Sequence, residues 1–263
     1  MPRRRNRGLE LGVALLLGEI IKVGFDNIPP VTLCTIAGQV SSNVITTEIG
    51  AESERPVALA LLYLGIINVP WEKWEVCIST ESVLKHRDYR RFFFSSFEHA
   101  DDMHLYYNMI SFLVKGRSLE RRYGSTNFAF LLFVITVLTN IIYVALGHIF
   151  TEALHDTYYM KSCAIGFSGV IFALKVLTSS ETPPGREWVQ FMWVPTRYAA
   201  WAELILIHLL VPNASFIGHL AGILSGLIYT STPIGTIVDQ FISSLTGEPI
   251  IHNGSYYESY SFS

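Results

Sequence analysis

The chain has 263 residues, of which 50% are hydrophobic and only 16% are charged, and its formal net charge is −3. About 25% charged residues is usual for a soluble domain, so this composition excludes a soluble globule, and the absence of a basic stripe excludes a nucleic-acid partner. Long apolar runs separated by short charged clusters predict an all-α, polytopic membrane helical bundle.

The N-terminal region, residues 1–56, is interpreted as a basic segment followed by an insertion of uncertain structure. It opens with the basic stretch Pro2–Arg7, and a short apolar run interrupted by charges follows. This pattern fits a signal peptide, an interfacial amphipathic helix or part of a span. The first span is either Leu9–Asp26 or Val57–Val69, and the predicted topology leaves room for only one of them.

Five further apolar stretches in the predicted transmembrane domain, residues 57–232, complete a six-span core. They are His104–Val114, Asn127–His148, Ser162–Leu177, Tyr198–Val211 and Ser215–Tyr229. Basic residues between Lys115 and Arg122 place the turn after the first stretch in the cytosol, and alternation puts the polar connection Trp71–Met103 on the lumenal side. The tail, residues 233–263, is predicted to be cytosolic and disordered because its end is rich in Ser and Tyr.

Small residues in two of these stretches are spaced for close helix packing. Read as helices, one stripe contains Ser162, Gly166, Gly169 and Ala173, and the other contains Gly218, Gly222 and Gly226. Such stripes most often serve packing alone. Here, however, Ser168 stands beside the first stripe and His219 directly follows the start of the second, so we expect the two helices to bring this serine and histidine together.

Three polar side chains fall at one depth in three different spans. Asn108, Ser168 and His219 each lie six or seven residues beyond the last polar residue of the preceding lumenal loop, or about 9–10 Å at 1.5 Å per residue. Polar groups inside spans are costly, so each is a functional candidate. A histidine can take the proton of a serine nucleophile, and an amide can stabilise an oxyanion. His104, one helical turn before Asn108, and the backbone N–H of Ser168 are further donors.

Other chemistries fit the sequence less well. The HExxH pattern is absent, so we expect no metal site, and we expect no cofactor. The five stretches contain no Asp, which argues against an aspartyl protease and favours a Ser–His dyad over a triad. Glu203 is interpreted as a structural hydrogen-bond partner or a cavity residue rather than a catalyst, and His148 and His208 as interfacial residues. The cysteines predict no disulfide framework, and Cys34 and Cys163 are interpreted as small core residues.

Four motifs, in this order, resemble the rhomboid intramembrane serine proteases. They are HADDMHLYYN (His99–Asn108), GRSLERRYGS (Gly116–Ser125), GFSGVIFALK (Gly166–Lys175) and GHLAGILSG (Gly218–Gly226). The resemblance runs from about Asp88 to Tyr229 and is closest to the endoplasmic-reticulum branch of the family. It implies a six-transmembrane fold with Ser168 as the nucleophile and His219 as its general base.

The resemblance also assigns supporting roles around this pair. The implied oxyanion hole consists of His104, Asn108 and the backbone of Ser168, with Gly166 beside them. Phe172 stands where many rhomboids have a tyrosine that stacks near the histidine. The residues with an implied packing role are Gly169, Phe172, Gly218, Gly222 and Gly226.

The function that the resemblance implies is hydrolysis of peptide bonds in or next to transmembrane segments, in membrane-protein quality control at the endoplasmic reticulum. The expected partners are transmembrane protein substrates, the lipid bilayer and degradation machinery reached through the tail. The alternative is a catalytically inactive rhomboid-like protein that binds membrane clients. Inactive relatives lose the serine or the histidine, whereas this chain keeps both Ser168 and His219.

Overall fold

The structure is a computed structural model that describes residues 8–49, 73–189, 191–211 and 214–252. These residues are mostly helical, which confirms the all-α class. The longer helices are α1 (Gly8–Val23), α2 (Pro30–Ile49), α3 (Asp102–Tyr123), α4 (Ser125–Leu154), α5 (Ser168–Ser180), α6 (Ala199–Leu210), α7 (Phe216–Ser231) and α8 (Pro233–Thr246). Short helical segments are Phe25–Asn27, Lys73–Val76, Thr80–Leu84, Arg91–Phe94, Tyr158–Lys161 and Thr196–Tyr198, and an antiparallel hairpin joins β1 (Arg186–Val189) to β2 (Met192–Pro195).

The clearest membrane span is α4. It has 30 residues, and among the described helices it alone is long and apolar enough to cross a bilayer by itself. The helices α7 and α8 pass the same test only as a pair, and they are bent by 78° where they join. The apolar helix α5 is shorter, with 13 residues. The six-span core therefore stays a prediction.

The two N-terminal helices pack against α3. The backbone N–H of Gly12 in α1 donates to the carboxylate of Asp102 at 2.6 Å, and Thr32 of α2 donates to the carboxylate of Glu120 at 2.7 Å. Residues 30–49, which the sequence left without an assigned structure, are thus a helix of the bundle. The first-span candidate Val57–Val69 lies outside the described residues.

The helix that carries Ser168 begins later than predicted. Residues 162–167 are not helical, and Ala164 forms an antiparallel bridge with Ile78 of the long connection before α3. Gly166 has a φ of +120°, which a helix does not permit and which favours glycine. The prediction of one helical stripe from Ser162 to Ala173 is therefore wrong, because only Gly169 and Ala173 of that set belong to α5.

The interpretation of the cysteines is also wrong. Cys77 and Cys163 form a disulfide with a Cα–Cα distance of 5.6 Å, and Cys34 is exposed rather than in the core. The disulfide joins the connection before α3 to the segment that leads into α5. Because the paired cysteines are 86 residues apart in the chain, local sequence gives no sign that they meet.

The tail prediction is wrong for its first part. Residues 233–246 form α8, which begins one residue after α7 and is capped at its C-terminus by Gly247, which has a φ of +76°. The polar residues of this segment led to the prediction of disorder. Its apolar residue Ile242, however, is completely buried in the core. The Ser/Tyr-rich end, residues 253–263, lies outside the described residues.

Candidate active site

Ser168 and His219 form a hydrogen-bonded pair between α5 and α7. The Oγ of Ser168 and the Nε2 of His219 are 2.9 Å apart. Ser168 is the first residue of α5 and His219 the fourth of α7, so the pair lies at two helix N-termini. The start of α7 is fixed by Ser215, whose side chain accepts a hydrogen bond from the backbone N–H of Gly218. The structure thus brings together Ser168 and His219, which were selected because the sequence places them at the same depth in the membrane.

Glycines let α5 and α7 approach each other closely. A Cβ at Gly222 would lie 2.0 Å from the carbonyl oxygen of Gly169, and a Cβ at Gly226 would lie 2.8 Å from that of Ala173. On the opposite helix, a Cβ at Gly169 would lie 3.0 Å from the carbonyl oxygen of Gly218. A larger residue at Gly222 or Gly226 would therefore push the helices, and with them the serine and histidine, apart.

The ring of His219 is buried and packed against Phe172. The two ring centroids are 4.7 Å apart with an interplanar angle of 32°. The Nδ1 of His219 is buried, and it has no hydrogen-bond partner in the part of the chain that the structure describes. Within the described residues, ring packing against Phe172 rather than a hydrogen bond to a carboxylate therefore orients the imidazole.

The predicted oxyanion residues are placed in two different ways. The ring of His104 lies against Gly166, since a Cβ at Gly166 would be 2.8 Å from its Cε1. The side-chain amide of Asn108 instead donates to the backbone carbonyl of His104 at 2.8 Å, so one of its N–H groups is used within α3. The backbone N–H of Ser168 is at the start of α5, where a helix supplies no acceptor.

A pocket opens beside Ser168 between α4, α5 and the long connection. Its walls include Ile78, Ser95, Thr139 and Tyr143. The hydroxyls of Ser95 and Thr139 are buried, and neither has a hydrogen-bond partner among the described residues. Two hydroxyl groups without a partner among the described residues therefore line the pocket beside Ser168.

The long connection before α3 holds this pocket in place. In addition to the disulfide, the backbone N–H of Gly166 donates to the carbonyl of Ser95 at 2.9 Å. From α4, the side-chain amide of Asn140 donates to the carbonyl of Phe92 at 2.8 Å and to the hydroxyl of Ser96 at 3.1 Å. The connection is therefore a structured wall of the site.

Two histidines that sequence reasoning did not assign to the site lie close to it. The ring of His208 meets that of His219 edge-on, with centroids 5.3 Å apart. His99 is fully buried, its Nε2 accepts from the backbone N–H of Phe167 at 3.4 Å, and its ring contacts His104. One signal for His208 was available: it lies in the last turn of α6, and only a short turn separates α6 from α7.

Other polar candidates lie elsewhere. Glu203 is 4.0 Å from the Nζ of Lys175, which also pairs with Glu187 of the hairpin. His148 is exposed. Among the described residues, no group of three or more His, Cys, Asp or Glu side chains is arranged to hold a metal ion.

The chain is similar to known proteins over most of its length. Residues 86–234 match the family model described as Rhomboid domain. Rhomboid-related protein 4 of Mus musculus is 41% identical over 238 residues, which are 90% of this chain and 68% of that protein. Its Homo sapiens counterpart is 41% identical over 250 residues, 94% of this chain and 72% of that protein. Rhomboid-like protein 14, mitochondrial, of Arabidopsis thaliana is 44% identical over 156 residues, 59% of this chain and 46% of that protein.

Proposed function

Since the chain belongs to the rhomboid family, we propose that it is a serine protease that cleaves peptide bonds in or next to transmembrane segments. One observation carries this proposal: the 2.9 Å hydrogen bond between Ser168 and His219. His219 is only 5% exposed, so its imidazole is largely shielded from bulk water. A substrate helix would have to unwind locally, because a helical backbone hides its carbonyl groups.

In the proposed reaction, the Nε2 of His219 takes the hydroxyl proton as the Oγ of Ser168 attacks the carbonyl carbon of the substrate. The peptide C–N bond then breaks, and His219 gives the proton to the leaving amine. Water, deprotonated by the same imidazole, releases the acyl group from Ser168.

The start of α5 favours the negative charge that develops in this reaction. The backbone N–H of Ser168 and the positive end of the helix dipole both lie next to the Ser168 hydroxyl, and we assign them to the oxyanion. We assign His104 and Asn108 as further donors, and the missing side chain of Gly166 leaves the His104 ring room to reach the site. One such donor is worth about 10²–10³-fold in rate.

The membrane arrangement belongs to the same proposal. We place the protein in the endoplasmic-reticulum membrane as a multi-pass protein in contact with lipid, acting on transmembrane proteins in quality control and reaching degradation machinery through its tail. The disulfide between Cys77 and Cys163 supports a site that faces an oxidising lumen, because disulfides are rare in the cytosol. The charge distribution independently assigns this side to the lumen.

Cleavage of a model transmembrane substrate by the purified full chain tests the proposal. Ser168→Ala and His219→Ala should each abolish cleavage, and a fluorophosphonate should label the wild type but not Ser168→Ala. Ser225→Ala is the matched control, because it removes another buried hydroxyl from the bundle. This variant should keep both substrate cleavage and fluorophosphonate labelling. Unchanged cleavage by either site variant would reject the Ser168–His219 mechanism, whereas absence of both cleavage and labelling in the wild type would favour a client-binding protein.

A further inference from the structure

The helix α8 carries an apolar stripe that is not covered by any described part of the chain. Its members are Ile234, Ile237, Phe241 and Leu245, which are 48–63% exposed. Their spacing of three or four residues places them on one side of the helix. A different exposed side carries the polar residues Thr236, Gln240 and Ser244. The helix is therefore amphipathic even where it does not touch the bundle.

A third face fixes α8 to the bundle. Ile242 is fully buried in the core, and Asp239 accepts a hydrogen bond from the hydroxyl of Tyr229 at the end of α7. Near the other end of α8, the hydroxyl of Thr246 donates to the side chain of Asn127 in α4 at 2.7 Å. These contacts fix the orientation of α8 about its own axis. The apolar stripe therefore cannot turn toward the bundle.

The junction between α7 and α8 sets the direction of the second helix. Thr232 caps α8, accepting a hydrogen bond from the backbone N–H of Ile234, and Pro233 occupies the first helical position. A Cβ at Gly235 would lie 1.9 Å from the carbonyl oxygen of Tyr229, so only glycine allows this tight turn. The two helices meet at 78° with only Thr232 between them. If α7 crosses the bilayer, α8 must therefore run along its surface.

We propose that α8 is an interfacial helix whose apolar stripe inserts at the boundary between lipid headgroups and acyl chains. It lies on the membrane side opposite the site, because Ser168 and His219 are at the start of α7 and α8 is at its end. The helix contains no Lys or Arg, so apolar burial rather than attraction to anionic headgroups holds it there. This inference rests on the membrane arrangement of the proposed function and adds a lipid-contacting element to it.

Site-directed fluorescence in phosphatidylcholine vesicles tests the inference. The full chain with Cys34→Ser receives one new cysteine, labelled with an environment-sensitive fluorophore, and the disulfide stays intact. Ile234→Cys and Leu245→Cys probe the apolar stripe, whereas Thr236→Cys and Gln240→Cys are matched controls on the polar side. Ile141→Cys, at an exposed position of α4, reports on a residue that the bilayer should surround.

The expected result is a blue-shifted emission at Ile234 and Leu245 that is lost when the lipids carry a doxyl group near the headgroup. Thr236 and Gln240 should keep a water-like emission. Quenching at Ile141 by a doxyl group deep in the acyl chains, without quenching at Ile234 and Leu245 by the doxyl group near the headgroup, would overturn the inference and leave the membrane arrangement standing. Absence of quenching at all three apolar positions would overturn both. Equal quenching on the two sides of α8 would also contradict an interfacial helix.

Discussion

Gly222 of α7 rests directly on the backbone of Gly169, the residue that follows the proposed nucleophile. The carbonyl oxygen of Gly169 is only 2.0 Å from the place that a Cβ of Gly222 would occupy. Gly222 is one helical turn from His219 and Gly169 is adjacent to Ser168. This contact therefore sets the distance between the two side chains of the dyad.

We expect Gly222→Ala to lower both stability and cleavage. The added methyl group must displace backbone, which costs about 1–3 kcal/mol, and the displacement separates Ser168 from His219. Thermal unfolding and substrate cleavage in the same detergent measure the two effects. Gly18→Ala is the control, because a Cβ there meets nothing within 4 Å. If Gly222→Ala had the same unfolding temperature and the same cleavage rate as Gly18→Ala, the close contact between α5 and α7 would be refuted.

Asn108→Ala should slow cleavage without abolishing it. In the structure, one N–H of Asn108 is bonded to the carbonyl of His104, so the amide has only part of its donor capacity for an oxyanion. We expect a loss of kcat of about 10²-fold or less, with little change in KM, because the interaction exists mainly in the transition state. Steady-state kinetics on one substrate checks this. A rise in KM with an unchanged kcat would show that Asn108 binds substrate instead.

Removal of the disulfide should destabilise the protein and loosen the wall of the pocket. Cys77→Ser or Cys163→Ser should cost about 2–4 kcal/mol, because the bond closes a long loop. Thermal unfolding with and without reductant measures the effect, and cleavage should fall because Ile78 and Ala164 lose their fixed register. Cys34→Ser should change neither quantity. If reductant left the melting temperature of the wild type unaltered, the structural role of the bond would be ruled out.

His252 links the segment after α8 to the bundle through two carboxylates. Its Nε2 is 2.8 Å from Asp239 and its Nδ1 is 2.7 Å from Glu181. Hydrogen bonds to Asp239 and then to Glu181 raise the pKa of His252 from 6.5 to about 9. The rings of Tyr123 and Tyr229 pack around the imidazole. The protonated form is therefore the one that the folded protein favours.

The stabilisation from His252 should be lost at alkaline pH. Because its folded-state pKa is raised, the contribution is fully present below the unfolded-state pKa of about 6.5 and disappears as the pH rises through about 9. Hydrogen exchange of residues 247–252, corrected for the intrinsic pH dependence, should show loss of protection over this range. Arg122 also pairs with Glu181. The variant His252→Gln should lack the transition, and a transition that persists in it would assign the effect to another group.

The meeting of Ser168 with His219 could be predicted from the sequence because it follows from local patterns. Apolar runs place each residue at a depth, and the spacing of Gly218, Gly222 and Gly226 marks the face that must pack closely. None of these patterns depends on knowing which distant segments touch. The same holds for the all-α class, which composition alone nearly determines.

The features that sequence reasoning missed depend on contacts between distant segments. A helical period fits residues 162–173, and nothing local reveals that Ala164 pairs with Ile78 instead. The residues that follow Cys163 in the sequence are apolar, and such neighbours are equally compatible with a reduced cysteine in the core and with a cysteine in a disulfide. Likewise, α8 was hidden because its polar residues suggested disorder, although Ile242 anchors it in the core.

The bond between Cys77 and Cys163 encloses α3 and α4 completely. A single backbone cut anywhere between these two cysteines would leave both pieces covalently joined. Such a nicked molecule would migrate as one species on a gel without reductant and would fall apart only after reduction. The intactness of a purified preparation therefore has to be judged on a reducing gel.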